Sequence, residues 1–176
     1  MDVVDQLMPT LSTYPLYPYL QYRQITDDLM NQPALVVKNF IDANPTLPPA
    51  RSLRSRFVNE LARRSDWRGL LAFSPDKPTS TEAQCNYYYA KLSVGQSQEA
   101  WSGAKDLWLT GKNQPGACEP LFSAWRDSGQ QDPLAYLERI RLAMKAGNIG
   151  LVKSLAQQMP GNYQSIASAV RSEEHT

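Results

Sequence analysis

Proline and glycine cut this chain at short intervals, and between the cuts apolar residues recur at helical spacing. Thirteen prolines and nine glycines divide it into segments of about 10–16 residues, the usual length of a globular helix. The punctuation predicts helices near 2–11, 16–30, 33–43, 49–64, 66–73, 80–93, 97–110, 118–128, 133–146, 148–158 and 162–170. No stretch alternates apolar and polar residues for long enough between turn signals to read as a strand. A chain so divided can only bury its apolar stripes helix against helix, so the fold class is all-α.

The end signals are specific in places. Asp132-Pro133 offers an N-cap followed by proline at the first helical position. Leu134, Leu137, Ile140 and Met144 then follow at spacings of three and four, which marks them as the buried face. Gly147 stands where a left-handed residue is wanted to end that helix. Thr79 and Glu82 form a capping box. Asn44-Pro45-Thr46-Leu47-Pro48-Pro49 is a stiff inter-helix turn, because the residue before a proline is pushed out of helical geometry.

A weak internal repeat accompanies this pattern. Tyr87-Tyr88-Tyr89-Ala90 followed by Gly95-Gln96 aligns with Leu121-Phe122-Ser123-Ala124 followed by Gly129-Gln130, 34 residues on. That is the period of a tetratricopeptide-like helical hairpin. Short helix pairs stacked into an α-solenoid are the expected architecture, each pair leaning on its neighbours for burial.

Chemistry is excluded more readily than it is found. The net charge of +1 argues against a nucleic-acid partner, which selects for a basic excess. No apolar run reaches the length of a membrane span. The single histidine, His175, lies one residue from the end, so no Ser-His-Asp or Cys-His set is available. Cys85 and Cys118 stand 33 positions apart with no histidine between them, which is not metal-ligand spacing. No phosphate or dinucleotide glycine motif occurs. Asp27 and Asp28 are adjacent on a helix and do not converge. The expectation is a chain with no catalytic residue, no metal and no cofactor.

Three features have both a structural and a functional reading. Cys85 and Cys118 are either two buried thiols or the two ends of a disulfide, which would require an oxidising compartment. Arg51, Arg54, Arg56, Arg63, Arg64 and Arg68 could contact an anionic polymer, but a solvated helix face balanced by Glu60 and Asp66 is the favoured reading. The aromatic residues Tyr14, Tyr17, Tyr19, Tyr22, Trp67, Tyr87, Tyr88, Tyr89, Trp101, Trp108 and Trp125 could stack on sugar rings; packing between helices is the commoner use.

Four strings carry a resemblance: PLYPYLQYRQITDDLMNQPA from Pro15, NPTLPPARSLRSRFVNELARRSDWRGLLAFSP from Asn44, EAQCNYYYAK from Glu82 and DPLAYLERIRLAMKAGN from Asp132. They resemble the N-terminal superhelical, U-shaped domain of the soluble lytic murein transglycosylases, and the resemblance spans residues 1–170. It implies a periplasmic parent enzyme that cleaves the β-1,4 bond between N-acetylmuramic acid and N-acetylglucosamine in peptidoglycan, leaving 1,6-anhydromuramoyl ends. Its expected partners are glycan strands and the parent's own lysozyme-like catalytic domain, which works through one glutamate. An oxidising periplasm favours the disulfide between Cys85 and Cys118.

The departures from the family pattern matter equally. The Glu-Ser, Gly-Leu-Met-Gln and Ala-Tyr-Asn-Ala-Gly strings of the catalytic domain do not occur, so the chain is expected to be inactive alone. Against the family pattern the signal peptide and first helix are expected to be missing, so Met1 reads as an internal methionine. Arg171-Ser172-Glu173-Glu174-His175-Thr176 is what a common sequencing-library adapter encodes, so 171–176 is expected to be a non-native tail. The alternative is a free-standing tetratricopeptide-like adaptor that binds another protein in its groove.

Overall fold

A computed structural model of the chain describes residues 3–159. The expected helix at 162–170, His175 and the 171–176 tail lie outside the described residues. Among those described, ten α-helices and three short 3-10 turns occur and no strand, so the fold is all-α. Two compact units divide after Ala90.

The first unit holds α1 (Val3–Leu7), α2 (Tyr17–Asp27), α3 (Ala34–Ala43), α4 (Pro48–Arg63), α5 (Trp67–Phe73) and most of α6 (Thr81–Ser93). Two expected helices are shorter than their apolar pattern. The first stops at Leu7 and continues to Leu11 as a 3-10 turn, because Pro9 has no N–H to give and crowds the preceding turn. The second stops at Asp27, where Asp28 leaves helical geometry (φ −136°, ψ 47°). The Asn44–Pro49 turn is built as the prolines dictate. Leu47 is extended, and Pro48 and Pro49 open α4, where a missing N–H costs nothing.

The core of this unit follows helical arithmetic. Leu53, Phe57 and Leu61, four residues apart on α4, are fully buried or nearly so, with Val37 and Phe40 of α3 and Leu70 and Phe73 of α5. Phe57 meets Phe73 edge-on, with ring centroids 4.8 Å apart. Burying each such side chain stabilises the unit by about 1.5–3 kcal/mol. The cap of α6 lies one residue later than expected. The Ser80 hydroxyl accepts from the Ala83 N–H at 3.3 Å, in place of Thr79.

α4 ends on a left-handed serine. Ser65 has φ 56°, its N–H donates to the Ala62 carbonyl at 2.9 Å, and the Asp66 N–H reaches back to Leu61 at 3.0 Å. A side chain in this conformation is strained where glycine is not. Ser65→Gly is therefore expected to stabilise the protein, by about 0.5–1 kcal/mol. The check is the shift of the urea midpoint at unchanged slope; a lower midpoint would mean that the serine makes a compensating interaction.

The second unit holds α7 (Ser97–Trp108), α8 (Glu119–Asp127), α9 (Pro133–Lys145) and α10 (Ile149–Gln158). The repeat read from the sequence has a backbone basis. Gly95 and Gly129 have φ +88° and +73°, and each turns the chain from one helix toward the next. Caps fix both later helices. Asp132 accepts from the Leu134 N–H at 2.9 Å and Asn148 from the Leu151 N–H at 3.2 Å. The Asn148 amide also donates to the Gly111 carbonyl and to the Asn113 side chain, both at 3.2 Å. A Cβ on Gly111 would stand 2.3 Å from the Leu142 carbonyl of α9, so only glycine lets this loop lie so close.

The buried face of α9 is the expected one only in part: Ile140 is buried and Leu137 half-buried, as the spacing predicts. Leu134 is 65% exposed and Met144 lies at the surface, whereas Ala135, Tyr136, Arg139, Ile140 and Ala143 are buried. The stripe is rotated because α9 packs its small residues and an arginine against an aromatic cluster, a pairing that an apolar count does not register.

Candidate functional site

The residues picked out from the sequence do not converge on a catalytic centre. Among the described residues, no group of three or more His, Cys, Asp or Glu could hold a metal ion. No described helix is long and apolar enough to cross a membrane. Asp27 faces Arg23 at 3.7 Å, and Asp28 accepts from the Asn31 amide at 2.7 Å, so this pair is occupied separately at the surface. Cys85 lies in α6 and Cys118 in the 3-10 turn Gly116–Cys118 ahead of α8, both fully buried. Neither is a free thiol; both are disulfide-bonded, so the reading as two buried thiols falls.

The six arginines of 51–68 are all exposed, as a solvated face requires, but half of them have structural work. Arg63 and Arg64 both donate to the buried Glu60 carboxylate, at 2.8 and 3.4 Å. Arg64 also donates to the Leu29 carbonyl at 2.8 Å and covers the Phe57 ring at 5.4 Å. Arg56 donates to the Tyr22 hydroxyl at 2.7 Å. Asp66, expected to balance charge, instead caps α5 by accepting from the Gly69 N–H at 2.9 Å.

Most of the aromatic residues pack. Trp67 and Tyr89 meet edge-on at 5.1 Å, and the Tyr87 hydroxyl donates to the Pro75 carbonyl at 3.1 Å. Tyr14 and Tyr19 are the exposed ones. The largest cluster surrounds Trp108 at the end of α7. Its ring is edge-on to Phe122 at 5.1 Å, Tyr136 at 5.0 Å and Trp125 at 6.3 Å. Its indole N–H donates to the Ala135 carbonyl at 3.0 Å, which a buried indole needs.

One charged group stands against this cluster, and the sequence reading passed over it. Arg139 of α9 is only 5% exposed. Its guanidinium lies 4.2 Å from the Trp108 centroid and 5.7 Å from that of Phe122. It donates to the Lys112 carbonyl at a long 3.5 Å, and its buried Nε finds no hydrogen-bond partner. Burial is the main force on its pKa, pushing it below the usual guanidinium value, while Tyr136 and Glu119 push it back up. The nearest ion pair of the region bypasses it: Glu119 is bonded to Arg126 at 3.4 Å, and Arg126 to the Tyr136 hydroxyl at 3.3 Å.

Arg139 lines an open cavity of about 360 Å³ whose other walls include Glu119, Asn113, Gln114, Ser154 and Gln158. The size is that of a small-ligand pocket. The lining offers a buried cation, a carboxylate at the rim, and amide and hydroxyl groups. In the sequence Arg139 follows Glu138 and stands two residues from Arg141, so it reads as one of several surface charges.

No protein-family model matches the chain. It is 78% identical over 170 residues to a soluble lytic murein transglycosylase of Escherichia coli strain K12 and 76% identical to one of Salmonella typhimurium. In each case the match takes in 97% of this chain and 26% of the relative, so the chain spans about a quarter of the length of these curated relatives. Among solved structures it superposes on the 70 kDa soluble lytic transglycosylase of E. coli with a TM-score of 0.94 at 77% identity, covering 98% of this chain and 28% of that one. A complex of the 70 kDa enzyme with bulgecin A gives 0.93 at 78% identity, covering 97% and 28%. An inactive mutant of a lytic transglycosylase from Pseudomonas aeruginosa gives 0.82 at 33% identity, covering 93% and 28%. Over the 170 residues aligned, the chain is homologous to the soluble lytic murein transglycosylases.

Proposed function

We propose that residues 1–170 serve as a non-catalytic part of the superhelical scaffold of a periplasmic lytic transglycosylase, holding the enzyme's catalytic domain beside the peptidoglycan strand. The parent reaction is cleavage of the N-acetylmuramic acid–β-1,4–N-acetylglucosamine bond with formation of a 1,6-anhydromuramoyl end. The observation that carries this reading is 78% identity sustained over 170 residues in a chain with no Glu-Ser dipeptide. In the same reading Cys85 and Cys118 are bonded to each other, and the periplasm is where that bond forms and persists.

Two experiments test it. A chimera in which residues 1–170 replace the homologous stretch of the E. coli enzyme is expected to release anhydromuropeptides from murein sacculi at close to the parental rate. The purified chain alone is expected to release none above background. A folded but inactive chimera, or clear release by the chain alone, would overturn the scaffold role.

A further inference from the structure

We infer that the cavity beside Arg139 is a binding site for a small zwitterion, an amino acid or short peptide with a free ammonium and a free carboxylate. Arg139 carries an electrostatic deficit. A buried cation is tolerated when it is paired and hydrogen-bonded. Arg139 has stacking on Trp108 and one long hydrogen bond, while its Nε is unsatisfied. No carboxylate among the described residues lies within ion-pair distance of it. Stacking on aromatic rings offsets part of the desolvation; Nε is closed off from the cavity, and a carboxylate in the cavity that Arg139 lines would compensate the charge through the rest of the guanidinium.

The opposite charge of the ligand follows from the same walls. Glu119 lines the cavity, and its field reaches Arg139. Its bond to Arg126 is long at 3.4 Å, and its side chain is 71% exposed, leaving acceptor capacity for an incoming ammonium. A dianion or phosphate would meet Glu119 as a like charge, so the pair selects a monocarboxylate with a cationic group. Asn113, Gln114 and Ser154 supply donors and acceptors suited to a peptide bond between the two ends. A dipeptide fits within about 360 Å³.

The test is isothermal titration calorimetry of the full chain with alanyl-alanine in its L,L and D,D forms. Saturable binding of at least one form is expected. N-acetylation or C-terminal amidation of that form should each weaken binding at least about tenfold, the loss of one charge-assisted contact. Glu119→Gln, at the exposed rim, should abolish the penalty for N-acetylation. Arg139→Met should abolish the penalty for amidation if the variant keeps the parent's circular dichroism. If it does not fold, Glu119→Gln decides alone. No saturable heat with either form up to about 10 mM, or binding indifferent to both blocked ends, would overturn the inference.

Discussion

Trp108→Ala is expected to destabilise the protein by about 3–5 kcal/mol, as truncation of a large buried aromatic does. Three aromatic partners within 6.3 Å lose their edge-on contacts. The Ala135 carbonyl loses the indole donor inside a core, which adds to the cost of the cavity itself. Arg139 loses the ring 4.2 Å below it, so the variant also removes what offsets that cation's desolvation. Trp108→Phe keeps much of the ring volume and should cost roughly half as much. Urea unfolding followed by far-ultraviolet circular dichroism measures both. A loss below about 1 kcal/mol for the alanine variant would show that the cluster is not packed as described.

The second large effect is expected on reduction. If Cys85 and Cys118 are bonded to each other, the bond closes a loop of 33 residues. It should then stabilise the oxidised chain by about 3–4 kcal/mol in the chain-entropy model. Both sulfurs are fully buried, so the reductant should act slowly on the native chain and quickly in moderate urea. The Cys85→Ala and Cys118→Ala double variant should unfold at the same lower urea concentration as the reduced parent. Non-reducing tryptic digestion should yield the peptides bearing the two cysteines as one linked species. Their recovery as separate species, or equal midpoints with and without reductant, would reject the pairing.

Local chemistry made much of this fold legible in the sequence. Proline at the start of α4 and α9, the Asp132 cap, and the glycines at 95 and 129 act within a few residues of themselves, and the structure places each as its chemistry demands. The expected helices fall short at 8–11 and 28–30: Pro9 cannot continue the first, and Asp28 leaves helical geometry at the end of the second. What the sequence hid is tertiary. Leu134 and Met144 look like core and lie at the surface; Arg139 looks like surface and is buried. The difference is set by what faces α9, namely the Trp108 cluster contributed by α7 and α8, and no window along α9 contains that information. The cysteines show the same limit. Their number was readable, but spacing alone left two buried thiols and a disulfide equally consistent.

Asn148 joins two matters that a sequence treats as independent. Its oxygen starts α10 and its amide grips the loop at Gly111 and Asn113, while Gly111 itself rests on α9. The connection between α7 and α8 is therefore pinned near its middle by a residue more than 30 positions downstream. Loops usually absorb insertions and deletions freely. Here a single added residue between Leu109 and Asn113 would have to uncap a distant helix or lift the loop from α9, so the length of this segment is constrained along with its composition.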